Sequence, residues 1–186
     1  MQVTERELWL LNFYRNSELH GALLMGKLAR SFTDTELLVN LTKHCATEAH
    51  HAALLSQAIA SLRVRLDPRV ETIQDHYSSA GGIPKELPEL LVLSETLEKR
   101  VLKSYRAHLQ RDDVHPVTRE TLTKILLEME KEDDGEHGGW IERTLEKLPA
   151  KSVKAAEAKW RAIDEQVAAG LTTFVNTKFP KEAVCA

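Results

Sequence analysis

The stretch Leu41-Thr-Lys-His44-Cys45-Ala-Thr-Glu48-Ala-His-His51-Ala-Ala-Leu-Leu55 decides how the chain is read. Leu37, Leu41, His44, Glu48, His51 and Leu55 recur at three or four, the spacing of one helix face. That face is apolar at both ends and carries an acid and two imidazoles in its middle. Glu48 and His51 stand one turn apart, so both can reach a single ion from one side of the helix. Burying a carboxylate among aliphatic groups is costly unless it is paired or bound to a metal.

Working outward, this helix is expected from about Asp34 to Leu62, with Thr33 or Asp34 as its cap. A first helix is expected from about Thr4 to Arg30, with Leu8, Leu11, Tyr14, Glu18, Ala22, Met25 and Ala29 on one face. The loop between them, Ser31-Phe32-Thr33-Asp34, is short enough to make the two helices antiparallel neighbours. Glu18 lies 13 residues before Ser31 and Glu48 lies 14 after Asp34, so the hairpin sets them at one level.

Residues 63–87 break the pattern with Asp67-Pro68, Gly81-Gly82 and Ile83-Pro84, and read as a long crossover. A third helix is expected from about Pro88 to Gln110, with Glu95 and Glu98 between Leu91 and Leu102. A fourth should run from about Pro116 to Leu148, with Asp134 and His137 again one turn apart. A fifth, from Lys151 to about Phe174, carries Val153, Ala156, Trp160, Ile163, Val167 and Leu171 at helical spacing. The expected fold is all-α: an antiparallel four-helix bundle over residues 1–150, with residues 151–186 as a C-terminal helix and tail packed on it. Four helices that each carry an acid at mid-length are best explained by a shared cation. Level matching in the second hairpin mildly prefers Glu95 to Glu98.

Composition agrees with a globular chain. Of 186 residues, 42% are hydrophobic and 28% charged, and aromatics are 5%, so the core should be mainly aliphatic. A net charge of -3 argues against a dedicated binder of nucleic acid or anionic membrane. Cys45 and Cys185 are too few for a disulfide scaffold. No apolar run approaches a membrane span, and the opening segment, with Glu5 and Glu7, does not read as a signal peptide. Cytosol is the expected address.

The pattern Glu18, Glu48-Ala-His-His51, Glu98 and Asp134-Gly-Glu-His137 resembles the ferritin-like di-iron carboxylate superfamily over about residues 4 to 148. That superfamily, which includes ferritins and rubrerythrins, carries Glu, Glu-x-x-His, Glu and Glu-x-x-His on four successive helices, with a long crossover between the second and third. Leu97-Glu98-Lys99-Arg100-Val101 is similar to the ferritin third helix around its metal glutamate, which favours Glu98. Glu95 stays open, because rubrerythrins carry two glutamates three apart there. The resemblance implies that Asp133 bonds to the His51 ring.

Asp134 departs from the pattern, standing where the family has Glu. Gly135, Gly138 and Gly139 crowd the same place. They allow a helix stop after Asp134. The common phase of Leu126, Met129, His137, Trp140, Ile141, Thr144 and Leu148 instead leads us to expect a continuous helix. His44, one turn before Glu48, is expected to support the ligands rather than to be one. Tyr14 and Tyr105 share faces with the acids and are expected to bond to them. Glu130 is the alternative to Asp134, with a solvated helix face as its plainer reading. His50 should be at the surface. Cys45 should be a small buried hydrophobe, and Trp9, Trp140 and Trp160 packing residues.

The resemblance implies two transition-metal ions, iron foremost with manganese or zinc as alternatives. It implies a redox enzyme using oxygen or peroxide as its small-molecule oxidant: an oxidase, peroxidase or oxygenase. The chain has no Cys-x-x-Cys pair, so electrons would come from a separate donor. A homodimer is compatible with this reading. Its rivals are iron oxidation for storage, a hydroxylase of the tRNA-modifying type, and a metal-free helical interaction protein.

Overall fold

The computed structural model describes residues 2–134 and 139–180, with 132–134 as backbone alone. The described residues form seven helices and no strand: α1 (Glu5–Ala29), α2 (Thr35–Ser61), α3 (Ile73–Gly81), α4 (Leu87–Leu109), α5 (Pro116–Asp134), α6 (Trp140–Glu146) and α7 (Ala150–Lys178). The fold is all-α, as expected. None of the described helices is long and apolar enough to cross a membrane.

The chain divides into two compact units, Met1–Gln74 with Val114–Leu127, and Asp75–Asp113 with Glu128–Ala186. The first unit is built on the α1–α2 hairpin. Thr4 caps α1 by accepting from the Glu7 N–H at 3.1 Å, and Asp34 caps α2 by accepting from the Leu37 N–H at 2.8 Å. Of the two cap candidates, Asp34 takes the role. Arg15 bonds to Ser56 and Cys45 to the Ala22 carbonyl, so the helices run antiparallel in fixed register. Leu11, Leu41, Leu55, Ile59, Leu122 and Ile125 are fully buried in this unit, an aliphatic core as composition predicted.

The crossover is more structured than its turn residues suggested. Its first part lies along α1 and is held by polar side chains. Asn12 accepts from the Asp67 N–H at 2.8 Å. Asn16 donates to the carbonyls of Asp67 (3.1 Å) and Val70 (2.9 Å). Ser17 accepts from the Ile73 N–H at 2.9 Å, and its carbonyl receives the Gln74 amide at 3.1 Å. Asn12, Asn16 and Ser17 are all buried. A strap without secondary structure leaves backbone groups unpaired, and these side chains pair them. The crossover then forms α3, a helix the sequence reading did not anticipate.

In the second unit α4 packs on α7 and on α6. Here the fully buried side chains include three aromatics, Tyr77, Tyr105 and Trp160. Trp160 packs as expected, in a helix that runs past the Phe174 end we anticipated. A Cβ on Gly81 would lie 2.4 Å from Ile163 Cδ1 and 2.8 Å from Trp160 Cζ3, so α3 can approach α7 only through glycine. Lys159 pairs with Glu89 at 2.7 Å. Asp164 accepts both from the Tyr77 hydroxyl and, in bidentate fashion, from the Arg100 guanidinium. Burial works to raise the Asp164 carboxyl, but the bonds from Arg100 and Tyr77 outweigh it and hold it below the ordinary range. Burial, then the bond to Asp164, push the Tyr77 hydroxyl well up.

One expectation is overturned. The fourth helix does not continue through the glycines to Leu148. Gly139 has φ +67°, a left-handed backbone that a right-handed helix cannot contain, and α6 starts afresh behind it.

Two outcomes test this account. Asn16→Ala strips a bond from each of two carbonyls and should destabilise the protein by about 1–3 kcal/mol in chemical denaturation. Asp164→Asn should lower the melting temperature at neutral pH. A carboxyl depressed in the folded state contributes fully above its ordinary value near 3.8 and loses that contribution as pH falls through the folded value. Wild type should therefore lose stability between about pH 5 and 2 faster than Asp164→Asn does.

Candidate functional site

The hairpin register brings Glu18 of α1 and His51 of α2 face to face. His51 Nδ1 stands 3.4 Å from Glu18 Oε2, with side chains only 3% and 5% exposed. One turn nearer the loop, Glu48 Oε1 stands 3.4 Å from His44 Nε2, and this pair is half-buried. The other Glu48 oxygen lies over Gly21. A Cβ there would come within 2.4 Å of Oε2, and Gln74 Nε2 bounds the same space at 3.5 Å. Three of the expected ligands, Glu18, Glu48 and His51, thus line the α1–α2 seam. His44 sits on Glu48, as its one-turn spacing implied.

The remaining residues divide as follows. Glu95 and Glu98 lie on α4 in the second unit, both half-buried, and Glu95 takes an ion pair from Lys99. Tyr14 and Tyr105 are buried. The side chains of Asp133 and Asp134, and all of His137, lie outside the described residues. Glu130, the alternative to Asp134, is 45% exposed and paired with Arg106 at 2.7 Å, in keeping with a solvated face. Among the described residues no group of three or more His, Cys, Asp and Glu stands close enough to hold a metal ion.

Of the others, His50 is exposed as expected. His20, for which the sequence showed no constellation, bonds to Thr72 at 2.9 Å and helps hold the crossover. Cys45 is half-buried rather than buried, with its thiol on the Ala22 carbonyl. Trp9 stacks on Phe13 at 5.2 Å. The sequence reading missed Gln74, which approaches the Glu48 seat from the crossover. A single Gln in a segment without periodicity gives no signal of its own.

Chemically, the seam offers carboxylate and imidazole, donors that suit first-row transition metals. A scan against family models matched none, and comparisons with curated proteins and with solved structures found no match.

Because Glu18 and His51 are closed from water, removing one takes a buried polar neighbour from the other. Glu18→Ala should destabilise the metal-free protein by about 1–3 kcal/mol, and Glu18→Gln by less, since an amide can still pair with the ring. Equal melting temperatures for Glu18→Ala and wild type would contradict a buried pair.

Proposed function

We propose that this chain is a ferritin-like di-metal carboxylate protein: a redox enzyme that binds two transition-metal ions, iron foremost, and reacts with oxygen or peroxide. The observation that carries the reading is the burial of Glu18 and His51 against one another, with Glu48 one turn away on the same seam. An aliphatic hairpin has no packing use for an acid and an imidazole at its centre.

The ions would be held by Glu18, Glu48, His51, Glu98 or Glu95, Asp134 and His137. With one acid from α4, this set carries four carboxylates and two neutral imidazoles, so two divalent cations leave it near neutral. Bound there, the ions would supply redox equivalents and Lewis-acid positions for the oxidant. The protein's part is to hold donors of fixed orientation in a dry seam. His44 braces Glu48, and the aliphatic residues around Glu18 and His51 keep water out. Electrons would come from a separate donor, because the only cysteines are Cys45 and Cys185.

A second reading, a metal-free helical interaction protein, draws on one observation. Gly139 has a left-handed backbone and α6 starts behind it, so the fourth helix is not the single helix through Leu148 that the ferritin-like pattern implies. Metal content separates the two. Protein reconstituted anaerobically with Fe2+ should hold about two ions per chain. It should also change its optical spectrum on exposure to oxygen or peroxide. Glu48→Ala with His51→Ala should abolish both while leaving a helical chain, since packing carries most of the fold. No bound iron, manganese or zinc in wild type would overturn the metal reading in favour of the second.

A further inference from the structure

Both oxygens of Glu48 have a defined neighbour, and the two neighbours lie on different helices. Oε1 faces His44 Nε2 at 3.4 Å from within α2. Oε2 occupies the space above Gly21 of α1, where a side chain would begin. Gly21 is itself buried. Gln74 closes that space from a third direction, and its amide is tied to the Ser17 carbonyl, so the wall it forms is anchored. A glutamate on a helix ordinarily samples several rotamers. This one is confined by a missing Cβ on one side and an imidazole on the other.

We propose that Gly21 and His44 are positioning residues that seat the Glu48 carboxylate on the α1–α2 seam. Gly21 sets how deeply the carboxylate enters, and His44 sets how it is turned. The consequence for metal binding rests on the function proposed above, whereas the seat itself does not. Gly21 is mid-helix with no positive φ, so its backbone conformation does not require glycine. The close approach of Glu48 does. A methyl group at position 21 would meet the end of a flexible side chain, so it would expel the carboxylate while leaving the helices in place.

Two experiments on the full-length chain test this. The first is a thermal-denaturation cycle on metal-free protein. Alanine is a better helix former than glycine, so Gly21→Ala in a Glu48→Ala background should raise the melting temperature by about 2–4 °C. In the presence of Glu48 the same change should give a smaller rise or a fall. Additive effects would overturn the seat. The second uses Co2+ as an optical probe of ligand geometry. Gly21→Ala and His44→Leu should each weaken Co2+ binding by about tenfold and alter its visible absorption. Gly21→Ala with Glu48→Asp, which shortens the acid by the room the methyl takes, should recover part of the affinity. An unchanged spectrum and affinity in both single variants would overturn the positioning role. Failure of wild type to bind Co2+ at all would instead overturn the proposed function, and the cycle would then decide the seat alone.

Discussion

The hairpin depends on one constraint: an acid and an imidazole, Glu18 and His51, are shut away from water between α1 and α2. Either group alone in that place would be strongly unfavourable. Together they also fix the register. Arg15 meets Ser56, Glu18 meets His51 and Ala22 meets Cys45, each step toward the loop shortening the span between partners. A slip of one turn would set Glu18 against Leu55, which is completely buried, and leave both polar groups among aliphatic side chains. Apolar stripes alone tolerate such slips, because one leucine packs much like the next. The buried pair does not.

The hairpin was legible in the sequence for the same reason. Two long runs at 3.6-residue spacing, a short loop and a capping Asp34 determine which faces meet. Counting set Glu18 level with Glu48, whereas the register pairs Glu18 with His51 and puts Glu48 beside Gly21, one turn away. The strap over residues 63–72 was not legible. It is held by Asn12, Asn16, Ser17 and His20, and a periodicity reading sees these only as polar positions on a helix. Their partners are backbone groups of an irregular segment, which leave no pattern of side-chain types. Helix α3 escaped because its nine residues end in the Ser-Ser-Ala-Gly run that marks turns.

Gly139 shows where helical phase misleads. Leu126, Ile141 and Leu145 share one phase and are all buried, yet the backbone between them turns left-handed at Gly139. Phase reports which side of a chain is buried. It does not report whether the hydrogen-bond ladder is continuous, because two helices burying the same side can restart in step. The glycines themselves were the better guide, since each lowers the cost of leaving the helix. The reading of the candidate site divides along the same line. Glu18, Glu48 and His51 followed from spacing on adjacent helices. Asp134 and His137 came from the same one-turn spacing on the fourth helix, and their side chains lie outside the described residues, whereas the choice of Glu98 and the role of Asp133 rested on resemblance.

The two units hide their acids differently, and the difference bears on function. Asp164 is met by Arg100, a permanent cation with a fork matched to a carboxylate, and by the Tyr77 hydroxyl. That acid is fully compensated by the protein, and no further charge is called for. Glu18 is met by an imidazole, which cancels the charge only when protonated. The same chain meets the acid Asp164 with arginine. At the α1–α2 seam the acid faces a group that can be charged or neutral, unlike the guanidinium beside Asp164. A carboxylate and a neutral imidazole, held side by side, are a ligand pair for a divalent ion, whereas a carboxylate and a guanidinium are not, because arginine stays protonated and has no lone pair to give. The proposed cation site draws on the donor chemistry of that one contact, whereas the Asp164 network is closed by the protein's own guanidinium and hydroxyl.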